Sequence, residues 1–156
     1  MFVDANNALE TVAKLAYKIW NEHYPSVIGQ EQVNYMLNKF YAIDALKKQI
    51  DEGQKFYLII EKEQNIGFFS ISEKEINTIF IHKFYVDFSD RNKGIGARVM
   101  TQLFTQYPKA NFTLNVNRQN FKPINFYFKM GFKIMDIVNI EIGDGYAMND
   151  FIMTKK

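Results

Sequence analysis

The sequence predicts an α/β fold in which helices flank a mixed, mainly antiparallel sheet. Three observations predict it. Apolar residues recur with helical spacing up to Gly53 and with strand-like alternation directly after it. The alternating part opens with two strand-like runs joined by a short polar turn. Strand-like and helix-like runs then take turns to the end of the chain, the pattern of a sheet covered on its faces.

Met1 to Val3 is read as a stub of a first strand. Leu9, Val12, Ala13, Ala16, Ile19 and Trp20 predict a helix from about Asn7 to Glu22. A second helix is expected from Gln30 to Phe40, with Val33, Met36, Leu37 and Phe40 on one face. A third runs from about Ile43 to Glu52, capped by Asp44 or a near neighbour and ended by Gly53. Lys55–Glu61 and Ile66–Ser72 form a hairpin around Lys62-Glu63-Gln64-Asn65, and Ile76–Val86 supplies the next strand. Ala97 to Tyr107 is helical, its apolar row being Ile95, Val99, Leu103 and Tyr107 with Met100 and Phe104 beside it. Phe112, Leu114 and Val116 alternate with polar residues as in a half-buried strand. A short helix from about Lys122 to Met130 closes at Gly131, a left-handed cap. Phe132–Ile142 and Ala147–Met153 make a last hairpin around Gly143-Asp144-Gly145.

A length of 156 residues suits one domain spanning 1–156, and no repeat or Pro/Gly linker divides it. Cysteine is absent, which removes thiol nucleophiles, disulfides and cysteine-zinc sites and points to a cytoplasmic protein. Only His23 and His82 are histidines, so no metal site is expected. A formal charge of +2 is too slight for a nucleic-acid partner. No apolar run reaches the roughly 18 residues of a membrane span, and Met1-Phe2-Val3-Asp4 does not open a signal peptide. Aromatic residues make up 16% of the chain and are spread through every segment, which reads as core packing, the alternative being that some of them wall a ligand cleft.

The chemistry begins at Arg91-Asn92-Lys93-Gly94-Ile95-Gly96, between the strand ending at Val86 and the helix of Ala97–Tyr107. A glycine-spaced loop that opens a helix aims unpaired N–H groups and the helix dipole at one point, which suits a phosphate. It is not a Walker A loop, because Lys93 precedes Gly94 and Ala97-Arg98 follows Gly96. The dinucleotide fingerprint fails too, with Val99 in place of its third glycine.

Arg91-x-x-Gly94-x-Gly96, taken with Asn120-Phe121-Lys122-Pro123-Ile124-Asn125-Phe126-Tyr127-Phe128-Lys129-Met130-Gly131-Phe132, resembles the GNAT superfamily, the Gcn5-related N-acetyltransferases. That family joins an Arg/Gln-x-x-Gly-x-Gly/Ala loop to a helix of the form Asn-x-x-Ala-x-x-Phe-Tyr-x-x-x-Gly-Phe, and the resemblance covers nearly the whole chain. Pro123 replaces the usual alanine and is tolerable in a first helical turn. The resemblance implies a V-shaped opening between the strands at Phe80–Val86 and Asn111–Asn117. It implies that Arg91, Asn92, Lys93, Gly94, Ile95, Gly96 and Ala97 wrap the pyrophosphate of acetyl-CoA. The main chain of Phe84, Tyr85 and Val86 would pair with the pantetheine arm as an added strand does. Asn120 would bond the same arm, cap its helix, or do both.

The same resemblance places Tyr127 beside the CoA sulfur, where a phenol with an ordinary pKa of about 10 serves as general acid. A backbone N–H near Tyr85 or Val86 would stabilise the oxyanion. Relatives often carry a glutamate base on the strand before the loop, yet Thr78 to Val86 contains no carboxylate. His82 is the base expected from that strand. Strict alternation would set it on the face of Phe84 and Val86, opposite Tyr85. Glu75, His23 and solvent are the alternatives. The acceptor site is expected among the first two helices, the loop between them and the last hairpin. Trp20, Tyr24, Tyr35, Tyr41 and Tyr146 would wall it, and Glu22, Asp44 or Asp150 would attract a cationic amine. Segments such as Gln30–Leu37 and Gly145–Asp150 look similar to bacterial members acting on polyamines or other small amines. The expectation is a monomeric or homodimeric N-acetyltransferase, acting on a small-molecule amine by direct attack in a ternary complex. Alternatives are an acyl-CoA-binding sensor without turnover, or acetylation of a protein N-terminus or lysine.

Overall fold

The helical period before Gly53 folds as α1 (Leu9–His23), α2 (Pro25–Ile28), α3 (Gln30–Tyr41) and α4 (Ile43–Asp51) in a computed structural model that describes residues 1–91 and 93–156, the side chain of Phe88 excepted. α2 is not expected from periodicity because it is a single turn, started by Pro25 and stopped by Gly29 at φ 85°. Ala42, not Asp44, occupies the N-cap of α4, and no side chain caps it. Asp44 instead lies in the first turn, where its charge complements the helix dipole.

The alternating part yields β1 (Phe2–Asp4), β2 (Lys55–Glu61), β3 (Gln64–Glu75), β4 (Thr78–Val86), β5 (Asn111–Asn117), β6 (Lys133–Gly143) and β7 (Tyr146–Lys155). Between them lie α5 (Ile95–Gln106) and α6 (Phe121–Lys129). The β2–β3 turn is tighter than expected: Lys62 and Glu63 take positive φ and Gln64 already belongs to β3. Asn77, also at positive φ, turns the chain before Thr78, so Ile76 stands outside the strand and is exposed. Behind α6, Gly131 donates to the Phe128 carbonyl and Phe132 to that of Tyr127, while Gly131 sits at φ 91°. That pair of bonds is the left-handed cap expected at this glycine.

The strands form one seven-stranded sheet in the order β1-β2-β3-β4-β5-β7-β6. Every neighbouring pair is antiparallel except β4–β5. One face packs α1, α3 and α4 onto Phe56, Leu58 and Phe68, and the other packs α5 and α6 onto Ile59, Phe69, Ile81 and Leu114. Among the described residues no helix is long and apolar enough to cross a membrane.

The β4–β5 ladder is short, joining Thr78–Ile81 to Asn111–Leu114. Beyond it β4 stays with β3 as far as Val86, while β5 stays with β7 as far as Asn117 paired to Asp150. The two central strands therefore diverge, and the expected V-shaped opening lies between them. Gly67 fixes the β4 arm: a Cβ there would sit 2.2 Å from the Tyr85 carbonyl oxygen, so only glycine lets the strands meet. We expect Gly67→Ala to lose about 3 kcal/mol of stability by forcing these backbones apart; urea denaturation read by circular dichroism checks this.

Candidate active site

The V opens into a cavity of about 660 Å³ that reaches from Val116 and Tyr127 to the helices of the opposite layer. On the β4 wall, Phe84 and Tyr85 turn to opposite faces. Phe84 stacks on Phe126 of α6 with ring centroids 6.0 Å apart, whereas Tyr85 packs against Phe68, Trp20 and Tyr24. Among the described residues the edge of β4 that faced β5 has no strand partner past Ile81, so an extended ligand can add there as a strand, the Val86 carbonyl already accepting from Arg91.

The loop after β4 is held by contacts that spacing alone does not reveal. Asp87 Oδ1 accepts from the backbone N–H and hydroxyl of Ser89, and Oδ2 accepts from Lys18 Nζ at 2.5 Å. This ties the loop to α1. Arg91 Nε donates to the Val86 carbonyl at 3.0 Å, and Lys93 pairs with Asp90 at 2.9 Å. Gly94 at φ 71° is the N-cap of α5 and turns the chain so that the first N–H groups of the helix at Ile95, Gly96 and Ala97 have no intrahelical partner. A Cβ on Gly96 would lie 3.3 Å from the Phe126 ring, so this glycine lets α5 close onto α6. Asn92 lies outside the described residues.

α6 brings in the second motif. Pro123 stands in its first turn, where a missing N–H costs nothing. Asn120 holds the N-cap position, but its side chain caps nothing. It is buried, donates from Nδ2 to the Tyr24 hydroxyl at 3.1 Å, and sets Oδ1 3.4 Å from His23 Nε2. Tyr127 is buried beside it on the cavity wall, with its ring against Phe132.

On the acceptor side Trp20, Tyr24 and Tyr41 line the cavity as expected. Tyr35 and Tyr146 do not: they pack on each other, and the Tyr35 hydroxyl donates to the Ile142 carbonyl at 2.7 Å, clamping α3 to the β6–β7 hairpin. Glu22 and Asp44 are exposed outside the lining, and Glu75 is exposed at the far end of β3. Asp150 alone of the three expected carboxylates is buried in the wall.

His82 departs from strict alternation. The register against β3 shifts between Ser70 and Ile71, so Ile81 and Lys83 pair with consecutive β3 residues and His82 is the extra residue of a bulge. It stays on the face of Phe80 and Ser72, with its ring 4.6 Å from that of Phe80 and Nε2 bonded to Ser72 Oγ at 2.7 Å, while Phe84 beyond the bulge turns to the other face. It is not on the face of Phe84.

An acetyltransferase (GNAT) domain model matches residues 25–149. The chain belongs to the GNAT family. It is an acetyl-CoA-dependent N-acetyltransferase. Over 160 aligned residues it is 26% identical to a spermidine N(1)-acetyltransferase of Thermoplasma acidophilum, covering 95% of this chain and 91% of that one. It is 27% identical to the peptidyl-lysine N-acetyltransferase YjaB of Salmonella typhimurium over 104 residues, 66% of this chain and 67% of the relative. The crystal structure of the PaiA N-acetyltransferase of Thermoplasma acidophilum in complex with coenzyme A superposes with a TM-score of 0.79 at 23% identity, covering 100% and 99% of the two chains.

Burial sets the protonation states in this acetyltransferase. It raises the phenols of Tyr24, Tyr85 and Tyr127 above their usual value, which keeps them protonated at neutral pH. It pushes Asp150 up to about 6 against the pull of Arg118. Burial and the charges of Lys83 and Lys74 push His82 down to about 3. One strongly displaced residue, Lys83, is absent from the expectations drawn from sequence. Lys83, only 9% exposed, donates to Gln49 Oε1 at 2.6 Å and Gln54 Oε1 at 3.1 Å, and burial lowers it from 10.5 to about 7. A lone lysine in the apolar run Thr78–Val86 was the available signal.

This lysine has a measurable consequence for stability. From about pH 7 to 10.5 the unfolded chain holds a proton on Lys83 that the folded chain has shed, so stability rises with pH across that window. Below about pH 7 both states hold the proton, and the burial penalty is constant. Lys83→Met is expected to flatten the rise, as read by melting temperature at closely spaced pH values.

Proposed function

We propose that this acetyltransferase moves the acetyl group of acetyl-CoA to the primary amine of a small molecule, by direct attack in a ternary complex. The observation that carries the reading is the unpaired inner edge of β4, opening beside the glycine loop into a cavity walled by Trp20, Tyr24 and Tyr41. The N–H groups of the Arg91–Ala97 loop would hold the pyrophosphate, and Phe84, Tyr85 and Val86 would pair with the pantetheine arm. Asn120 would contact that arm from its bonds to Tyr24 and His23. The reading takes residues 1–156 as one acyltransferase domain working in the cytoplasm.

The amine nitrogen attacks the thioester carbonyl carbon, a C–N bond forms, and the oxyanion meets backbone N–H groups near Tyr85 and Val86. As the intermediate collapses the C–S bond breaks, and the thiolate takes the Tyr127 proton. The nitrogen, cationic once the C–N bond has formed, releases its extra proton through water, and that proton restores the Tyr127 phenolate. The acceptor must first lose one. With a pKa of about 3, His82 is a poor acceptor for it, and its bond to Ser72 suits a positioning role. Asp150, at about 6, is the stronger base and can also draw the ammonium to the wall. The spermidine relative supports a small amine and brings polyamines into the acceptor panel, and the peptidyl-lysine relative brings in a lysine peptide.

Isothermal titration should show CoA binding to wild type and Tyr127→Phe alike. Turnover of an amine panel, followed by thiol release, should fall at least about 100-fold in Tyr127→Phe. Absence of CoA binding at millimolar ligand would sink the reading, and CoA binding without turnover of any acceptor would favour a sensor. With a monoamine acceptor, kcat/KM should gain an additional rise with pH through about 6 as Asp150 ionises. Asp150→Asn should lose that limb and keep only the rise due to the amine itself.

A further inference from the structure

Lys83 is a buried lysine on the wall of the acceptor cavity, a cation up to about pH 7 in the empty site, and no part of the proposed acetyl transfer uses it. Its surroundings are organised around it. Gln49 is buried and oriented by its own bond from Nε2 to the Phe40 carbonyl, and Gln54 receives the Ser70 hydroxyl. Both amide oxygens then aim at Nζ, and the rings of Phe56 and Tyr41 lie 5.4 and 5.8 Å from it. Among the described residues no carboxylate lies within ion-pair distance of this ammonium. Two neutral acceptors replace only part of the hydration that burial removes, and buried charges are ordinarily paired with an opposite one.

The lining supplies the rest of the pattern. Asp150 stands on the β7 side of the V and Lys83 on the β4 side, so the two walls carry opposite charges. Lys74 adds exposed positive charge to the lining, Lys39 adds more where it bonds the Ile142 carbonyl, and among the described residues the other acid of the lining, Glu52, is paired with Lys48. An acceptor with a second cation would bring it toward like charges in a poorly hydrated site. One with a carboxylate would complete the shell of Lys83 with a charge-assisted hydrogen bond. From this arrangement we infer that Lys83, with Gln49 and Gln54, forms a subsite for an anionic carboxylate on the acceptor. The acceptors selected are then amino acids or other amine–carboxylate compounds, in preference to polyamines. This inference rests on the small-amine reading above.

Acceptor pairs that differ by one carboxylate test it: lysine against cadaverine, ornithine against putrescine, and phenylalanine against phenethylamine, with spermidine added. The expected result is that kcat/KM for the carboxylate-bearing member exceeds its decarboxylated partner by at least tenfold in one pair or more, and exceeds spermidine as well. Lys83→Met should shrink that ratio, chiefly through a higher KM for the carboxylate-bearing member. Wild-type protein that acetylates the decarboxylated members or spermidine as well or better overturns the subsite while leaving the small-amine reading intact. A preference that persists unchanged in folded Lys83→Met also overturns it. Turnover of a lysine peptide alone, or of nothing, defeats the small-amine reading and the subsite together.

Discussion

The divergence of β4 from β5 after Ile81 and Leu114 is the constraint on which the rest of the structure depends. A continuous parallel ladder would consume the main-chain groups of β4 and close the sheet over the space between the strands. Each arm of the V is instead committed to its outer neighbour, β4 to β3 and β5 to β7. The contact of Gly67 with the Tyr85 carbonyl makes the β4 arm rigid, because no side chain intervenes. The unpaired groups are thus a fixed edge, prepared for an extended ligand without the entropy of ordering a loop.

Much of this architecture was legible because it is encoded locally. Helical and alternating periods are properties of neighbours in sequence, and they located every long helix and strand to within a few residues. The cap at Gly131 and the turn at Gly94 were legible for the same reason, since only glycine takes those conformations without strain. The one-turn helix at Pro25 was too short to show a period. The bulge at His82 was hidden because a bulge is a mismatch between two strands, and β4 taken alone still alternates. That single extra residue leaves His82 on the face of Phe80, sends Phe84 to the opposite face and places Lys83 opposite Ser70.

The candidate site divides in the same way. The Arg91–Gly96 loop and the Asn120–Tyr127 helix carry their chemistry in contiguous motifs, so both could be named from spacing and resemblance. The acceptor side is assembled from single residues on α1, α3, α4, β4 and β7, whose proximity only the fold creates. Tyr35 and Tyr146 had the right composition for a wall, yet they stack on each other at the hairpin. Asp150 had no better sequence credentials than Glu22 or Asp44, and only burial separates it from them. Lys83 acquires meaning through Gln49 and Gln54, which lie about thirty positions earlier in the chain.

The donor and acceptor halves are not independent, and α1 is the reason. Lys18 on α1 holds Asp87, which organises the start of the glycine loop. At the C-terminal end of the same helix His23, with Tyr24 just beyond it, meets Asn120 at the start of α6. Between these ends Trp20 contributes to the cavity wall and packs on Tyr85. One helix therefore touches the loop, the second motif and the β4 arm. A shift of α1 to fit an acceptor would strain bonds at both donor motifs, and a ligand that drew Asn120 away from Tyr24 would loosen the acceptor wall. A rigid element in contact with both sites is the physical arrangement through which occupancy of one can bias the other.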